Sequence, residues 1–107
     1  MHCLFVALPL LVAVATPALA DDPVVAIILK DHQFTPSEAP VPAGVKVKLT
    51  VKNEQGAAAE FESHALHFEK IVPPGGEISV FAGPLQPGSY EFFDDFHGAT
   101  RGHLVAQ

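Results

Sequence analysis

Cysteine is almost missing from this chain. One of its 107 residues is Cys, at position 3, and an apolar run follows it. Everything beyond that run therefore lacks a disulfide, a cysteine nucleophile and a thiolate metal ligand. Basic residues are also few: six Lys and Arg stand against twelve Asp and Glu, a net charge of −6. Such a surface repels nucleic acid and attracts cations. Tryptophan is absent, no basic-aromatic patch suggests nucleic acid, and no glycine loop is built to cradle phosphate. Ser37, Ser63, Ser79 and Ser89 show no nucleophile elbow, which argues against serine-based hydrolysis. The apolar run, residues 4–15, is too short to span a bilayer.

That run is followed by Ala18-Leu19-Ala20, a small-residue cleavage site, and then by the polar Asp21-Asp22. The pattern is that of a secretory signal peptide over residues 1–20, although Met1-His2-Cys3 lacks the usual basic charge. Cleavage after Ala20 leaves one small domain, residues 21–107, without its cysteine. The expected product is soluble and exported, and in a Gram-negative cell periplasmic. All eighteen charged side chains counted above lie in this part.

From Asp21 onward the pattern is all-β. Val24–Lys30 is a nearly continuous β-branched run. Residues 31–44 hold Pro36, Pro40 and Pro42 and leave room for one short edge strand. In 45–52, Val45, Val47, Leu49 and Val51 alternate with Lys46, Lys48, Thr50 and Lys52, so one face is buried and one is wet. Strands are expected at 60–64, 66–72, 77–82, 89–93 and 103–106. Turns are expected at 53–59, at Pro73-Pro74-Gly75-Gly76 and at 83–88. No stretch combines helical period with helical length. Short strands between Pro/Gly turns predict a sandwich, with seven of the eight Phe, all but Phe5, available to fill its small core.

Chemistry concentrates in two places. Asp94, Asp95 and His97 occupy a loop between the last two strands. Glu60 and Glu62 share one face of a strand, and His64, His67 and Glu69 follow, with His67 and Glu69 again on one face. Carboxylates that converge repel one another and need a proton or a cation. An oxygen and imidazole set accepts Zn, Mn, Cu(II) and Fe alike. The blander readings are a solvated strand face for the glutamates, Asx hydrogen bonds capping a turn for Asp94 and Asp95, and a surface imidazole for His97. His32 and His103 read as surface residues.

The segment Tyr90–Gln107 resembles the C-terminal ligand loop of cupredoxins, in which a strand, a Cys, two spacers, a His and a final strand follow in order. Asp94 stands at the Cys place and His97 keeps the His place. Val47–Asn53, its loop and then Glu60 resemble the strand and loop that carry the first cupredoxin His, so Glu60 falls at that position. Glu60-Phe61-Glu62, the Pro73-Pro74-Gly75 turn, residues 83–90 and Asp94-Asp95-Phe96-His97 are similar to the cupredoxin-like periplasmic proteins that accompany bacterial iron permeases. The resemblance covers about residues 24–106. It implies a cupredoxin-like Greek-key β-sandwich and a copper or iron ion held by Glu60, Glu62, Glu69, Asp94, Asp95 and His97. It also implies a role in ferrous-iron oxidation or delivery to the permease. The carboxylate at position 94 cannot form the copper–thiolate bond of a blue-copper centre, so redox behaviour is not carried over. Two other functions stay open: a ferroxidase, which would need an external electron acceptor, and a metal-free sandwich used for docking.

Overall fold

The computed structural model describes residues 3–13 and 21–107. Residues 3–13 are exposed and form neither strand nor helix; the expected cleavage site, Ala18-Leu19-Ala20, lies outside the described residues. The remainder is a sandwich of nine strands. These are β1 (Val24–Lys30), β2 (Gln33–Thr35), β3 (Glu38–Val41), β4 (Val47–Asn53), β5 (Ala59–Ser63), β6 (Phe68–Val72), β7 (Glu77–Ala82), β8 (Gly88–Asp94) and β9 (His97–Ala106). One sheet has the order β2-β1-β4-β7 and the other β3-β9-β8-β5-β6. Both are mixed: β1 runs parallel to β4, and β3 parallel to β9.

The alternation in β4 sets the first sheet. Val47, Leu49, Val51 and Asn53 are buried, while Lys48, Thr50 and Lys52 face out. Ile27 and Leu29 of β1 join them from one side, and Val80 and Ala82 of β7 from the other. In the second sheet Phe61 of β5 and Phe92 of β8 point inward. With Phe34 of β2 they form a triangle of edge-on and tilted rings, with centroids 5.0–5.8 Å apart. That triangle joins the two sheets, in the offset geometry aromatic quadrupoles prefer.

The structure departs from the sequence expectations in three places. The strand expected at 66–72 begins at Phe68, because residues 64–67 form the turn between β5 and β6, so His67 does not share a strand face with Glu69. Residues 31–44 hold two short strands rather than one. Pro40 is accommodated because β3 lies at a sheet edge, where one missing N–H costs no ladder bond. The last strand begins at His97 rather than His103. The polar segment at 95–102 shrinks to a turn at Asp95-Phe96, and the ladder resumes after an irregularity at Phe93/Asp94.

Asn53 closes the end of the sandwich where the site lies. Its amide nitrogen donates to the carbonyls of Ala57, Val72 and Pro73 at 2.9, 3.1 and 3.3 Å. Its oxygen accepts from the Gln55 amide at 3.0 Å. One fully buried side chain thus ties the β4–β5 loop to the end of β6. At the other side of the core Gly102 presses against Phe92. A Cβ there would lie 2.6 Å from two ring carbons of Phe92 and 2.7 Å from the Ser37 carbonyl. Gly102→Ala is expected to cost about 1–3 kcal/mol through overpacking. Thermal unfolding of the 21–107 domain should show a melting point lower by several degrees; an unchanged melting point would mean that β9 shifts freely.

Candidate metal centre

The core fixes the parity of β5. Phe61 points inward, so Glu60 and Glu62 point to the outer face of the second sheet. On β6, Glu69 lies directly opposite Glu62. On β8, Asp94 lies opposite Phe61 and is buried on the core side, whereas Phe93 lies opposite Glu62 on the outer face. Asp95 follows in the turn, and its amide donates to the Glu60 carbonyl at 2.9 Å. The outcome is a compact outer-face cluster: one carboxylate oxygen each from Glu60, Glu62 and Asp95 lies within 4.8 Å of the others.

Glu60 is the buried member, Glu62 is half-buried and Asp95 is exposed. The Glu60 carboxyl is pushed up to about 7. The main cause is its hydrogen bond with Glu69, which two carboxyls make only when one holds a proton. Burial and the negative charges of Glu69, Asp95 and Glu62 add to it. Glutamates directly opposite each other on neighbouring strands, as Glu62 and Glu69 are, disfavour the ladder unless something neutralises them. The sheet therefore holds like charges together, and either a proton or a cation relieves them.

Beside this cluster a cavity of about 240 Å³ is lined by Glu62, Ser63, His64, His67, Phe68 and Glu69. The sequence grouping of His64, His67 and Glu69 thus reappears around one hollow at the β5–β6 turn. His67 holds a left-handed backbone, φ 57°, and the His64 ring packs 5.2 Å from that of Phe93.

Asp94 and His97 sit elsewhere. Asp94 Oδ1 accepts hydrogen bonds from the amides of Glu60 and Phe96, each at 3.0 Å. The carboxylate fastens the turn to β5, in the Asx manner. His97 leaves the acidic face altogether. Its ring stacks on His32 with centroids 3.9 Å apart, and its Nδ1 lies 2.8 Å from Thr100 Oγ1. The Thr100 hydroxyl spends its one hydrogen on the His32 carbonyl at 2.7 Å, so toward His97 it can only accept. The neutral His97 ring therefore carries its proton on Nδ1 and keeps the lone pair on Nε2. His32 and Thr100 were not legible as neighbours of His97. They lie in separate parts of the chain and meet only through the sandwich topology.

The six residues of the expected ligand set thus divide between two faces, with Glu60, Glu62, Glu69 and Asp95 on one side and Asp94 and His97 on the other. A thiolate copper centre does not fit this arrangement. No sulfur ligand stands at position 94, and the oxygen there is engaged by two amides. The outer-face carboxylates are a donor set for an ion that prefers oxygen.

For the metal-free domain the raised Glu60 value has a definite sign. The folded state binds a proton that the unfolded chain releases near the ordinary value of 4.5. That contribution to stability is fully present below about 4.5 and is lost as pH rises through about 7. Chelator-treated protein should melt progressively lower across this window, and Glu60→Gln should flatten the slope. A wild-type profile that rises there would contradict the shared proton.

Comparison with known proteins agrees with this architecture. Residues 2–106 match the family described as Cupredoxin-like domain. An uncharacterized protein of Rickettsia prowazekii (strain Madrid E) is 47% identical over 76 residues, which are 71% of this chain and 61% of that protein. The chain therefore spans less than two thirds of the length of this curated relative. Among solved structures, the metal-binding domain of the Streptococcus pneumoniae Cu(I)-exporting P-type ATPase, with Cu(I), superposes with a TM-score of 0.71 at 13% identity, over 78% of this chain and 84% of that one. A reduced amicyanin variant gives 0.66 at 17%, over 84% and 87%. A purple cupredoxin from Nitrosopumilus maritimus gives 0.60 at 16%, over 80% and 100%. At these identities the likeness is one of fold.

Proposed function

The chain belongs to the cupredoxin-like domain family, and from that premise we propose that it is an exported metal-binding protein that takes up a copper or iron ion on the outer face of its second sheet. The observation that carries the reading is the cluster of Glu60, Glu62 and Asp95, whose oxygens lie within 4.8 Å of one another, beside a Glu60 that already holds a proton up to about 7. An ion arriving there displaces that proton and relieves the repulsion. Oxygen donors favour Cu(II) or iron over Cu(I). Copper is supported by the structural neighbours, one a Cu(I)-bound metal-binding domain of a Cu(I)-exporting ATPase and another a purple cupredoxin. Iron is supported by the carboxylate chemistry and by the resemblance of the Glu-Phe-Glu and Asp-Asp-Phe-His segments to partners of iron permeases. In this reading the protein collects the ion in the periplasm and assists ferrous-iron oxidation or hands iron to a permease. The ion is cargo, held by side chains that stay near the surface.

The competing reading, a metal-free sandwich used for docking, is favoured by the hydrogen-bonded Asp94 and the separate His97. Titration of the 21–107 domain with Cu(II), and with Fe(II) under anaerobic conditions, distinguishes the two. Among the described residues, every strand and every core side chain lies within residues 21–107. One ion per chain is expected. Glu60→Gln with Asp95→Asn should weaken it by more than the roughly 10–100-fold typical of losing an outer-sphere partner. Asp94→Asn should change the affinity little. An unaltered affinity in the Glu60/Asp95 variant removes this site, and equal melting points with chelator and with excess ion favour docking. In a separate assay with oxygen or Cu(II) supplied as electron acceptor, protein-dependent loss of Fe(II) beyond one equivalent would make the protein a ferroxidase rather than a carrier.

A further inference from the structure

The two outer faces of the sandwich carry opposite charge. On the second sheet the acidic cluster dominates. On the first sheet the register places three rows across β1, β4 and β7: Val24–Lys48–Phe81, Ala26–Thr50–Ser79 and Ile28–Lys52–Glu77. Lys30 extends this face along β1, and Lys46 reaches over the Phe81 ring at 4.3 Å. Four of the six basic residues of the chain therefore stand on one face, in a protein whose net charge is −6. Two acids oppose them there, Glu77 across from Lys52 and Asp22 at 3.9 Å from Lys46.

The same face is apolar between the lysines. Val24 is 61% exposed, Phe81 53% and Ile28 39%. The middle row is made of small side chains, with large apolar and cationic side chains in the rows on either side of it. A face that is cationic and studded with exposed Phe and aliphatic side chains suits an anionic partner with an apolar interior. Lysine stems can lie along the apolar side chains while their charges reach headgroup phosphates.

We propose that the outer face of the β2-β1-β4-β7 sheet docks reversibly on an anionic phospholipid surface, with Phe81, Ile28 and Val24 entering the headgroup layer and Lys30, Lys46 and Lys48 pairing with phosphates. The acidic face does not defeat this. Packed sheets are about 10 Å apart before side chains are added, and screening reduces charge effects beyond about 8–10 Å. Docking in this orientation leaves Glu60, Glu62 and Asp95 facing away from the bilayer, open to ions. The inference does not depend on the metal reading.

The test is co-sedimentation of the 21–107 domain with vesicles of phosphatidylglycerol and phosphatidylcholine in equal parts, against pure phosphatidylcholine, at low and high salt. Binding to the anionic vesicles alone, weakened by salt, is expected. Each lysine near such a surface contributes about 1 kcal/mol, roughly fivefold, so Lys30→Glu with Lys48→Glu should weaken partition by at least about tenfold. Phe81→Ser should weaken it independently, while Glu60→Gln with Asp95→Asn should not. Both docking variants should keep the wild-type melting point, because the altered side chains lie outside the core. Absence of binding, or binding that both docking variants retain, overturns the assignment. So does salt-sensitive self-association without vesicle binding, which would give the face to a second copy of the chain.

Discussion

The contact among Phe34, Phe61 and Phe92 governs more of this structure than its size suggests. It is the place where the two sheets meet through aromatic rings, and it fixes which way β5 and β8 face. Once Phe61 and Phe92 point inward, strand geometry leaves no choice. Glu60 and Glu62 go to the outer surface, Asp94 turns to the core side, and Asp95 comes back out. The acidic cluster is a by-product of a hydrophobic decision. Gly102 belongs to the same decision, since any side chain there would occupy the space of the Phe92 ring.

Position 94 shows how a fold can keep a residue's place and change its work. A thiolate in this loop would face a metal. A carboxylate has oxygens that backbone amides can use, and Asp94 gives one of them to the amides of Glu60 and Phe96. That pair of bonds holds the turn against β5 and brings Asp95 beside Glu60. Asp94 thus supports the outer-face cluster by positioning it, from the opposite side of the sheet. His97, with a carboxylate rather than a sulfur at position 94, stacks on His32 and is oriented by Thr100.

Much of the architecture was legible in the sequence because alternation is a local signal. Val47 to Lys52 announces a half-buried strand unaided, and the Pro/Gly turns delimit most of the others. Strand ends shifted by a few residues where a polar segment continued the ladder, as at 97–102. The site was legible residue by residue and illegible as an arrangement. Glu60, Glu62 and Glu69 could be placed on outward faces from parity alone. The split between Asp95 and Asp94 depends on the pairing of Phe61 with Asp94, which is a register between segments more than thirty residues apart. The stack of His97 on His32 depends on the sandwich closing, and no local pattern carries that.

The acidic cluster also lies at the margin of its sheet, because β6 is an outer strand. An outer strand offers unpaired backbone groups to any other chain, and charged side chains are a common guard against such pairing. Glu69 and its neighbours supply that guard. In the proposed metal-binding role, an ion that neutralises them would remove part of it, so occupancy and solubility would pull against each other. A heavily loaded population would be the one in which chains begin to add strand to strand.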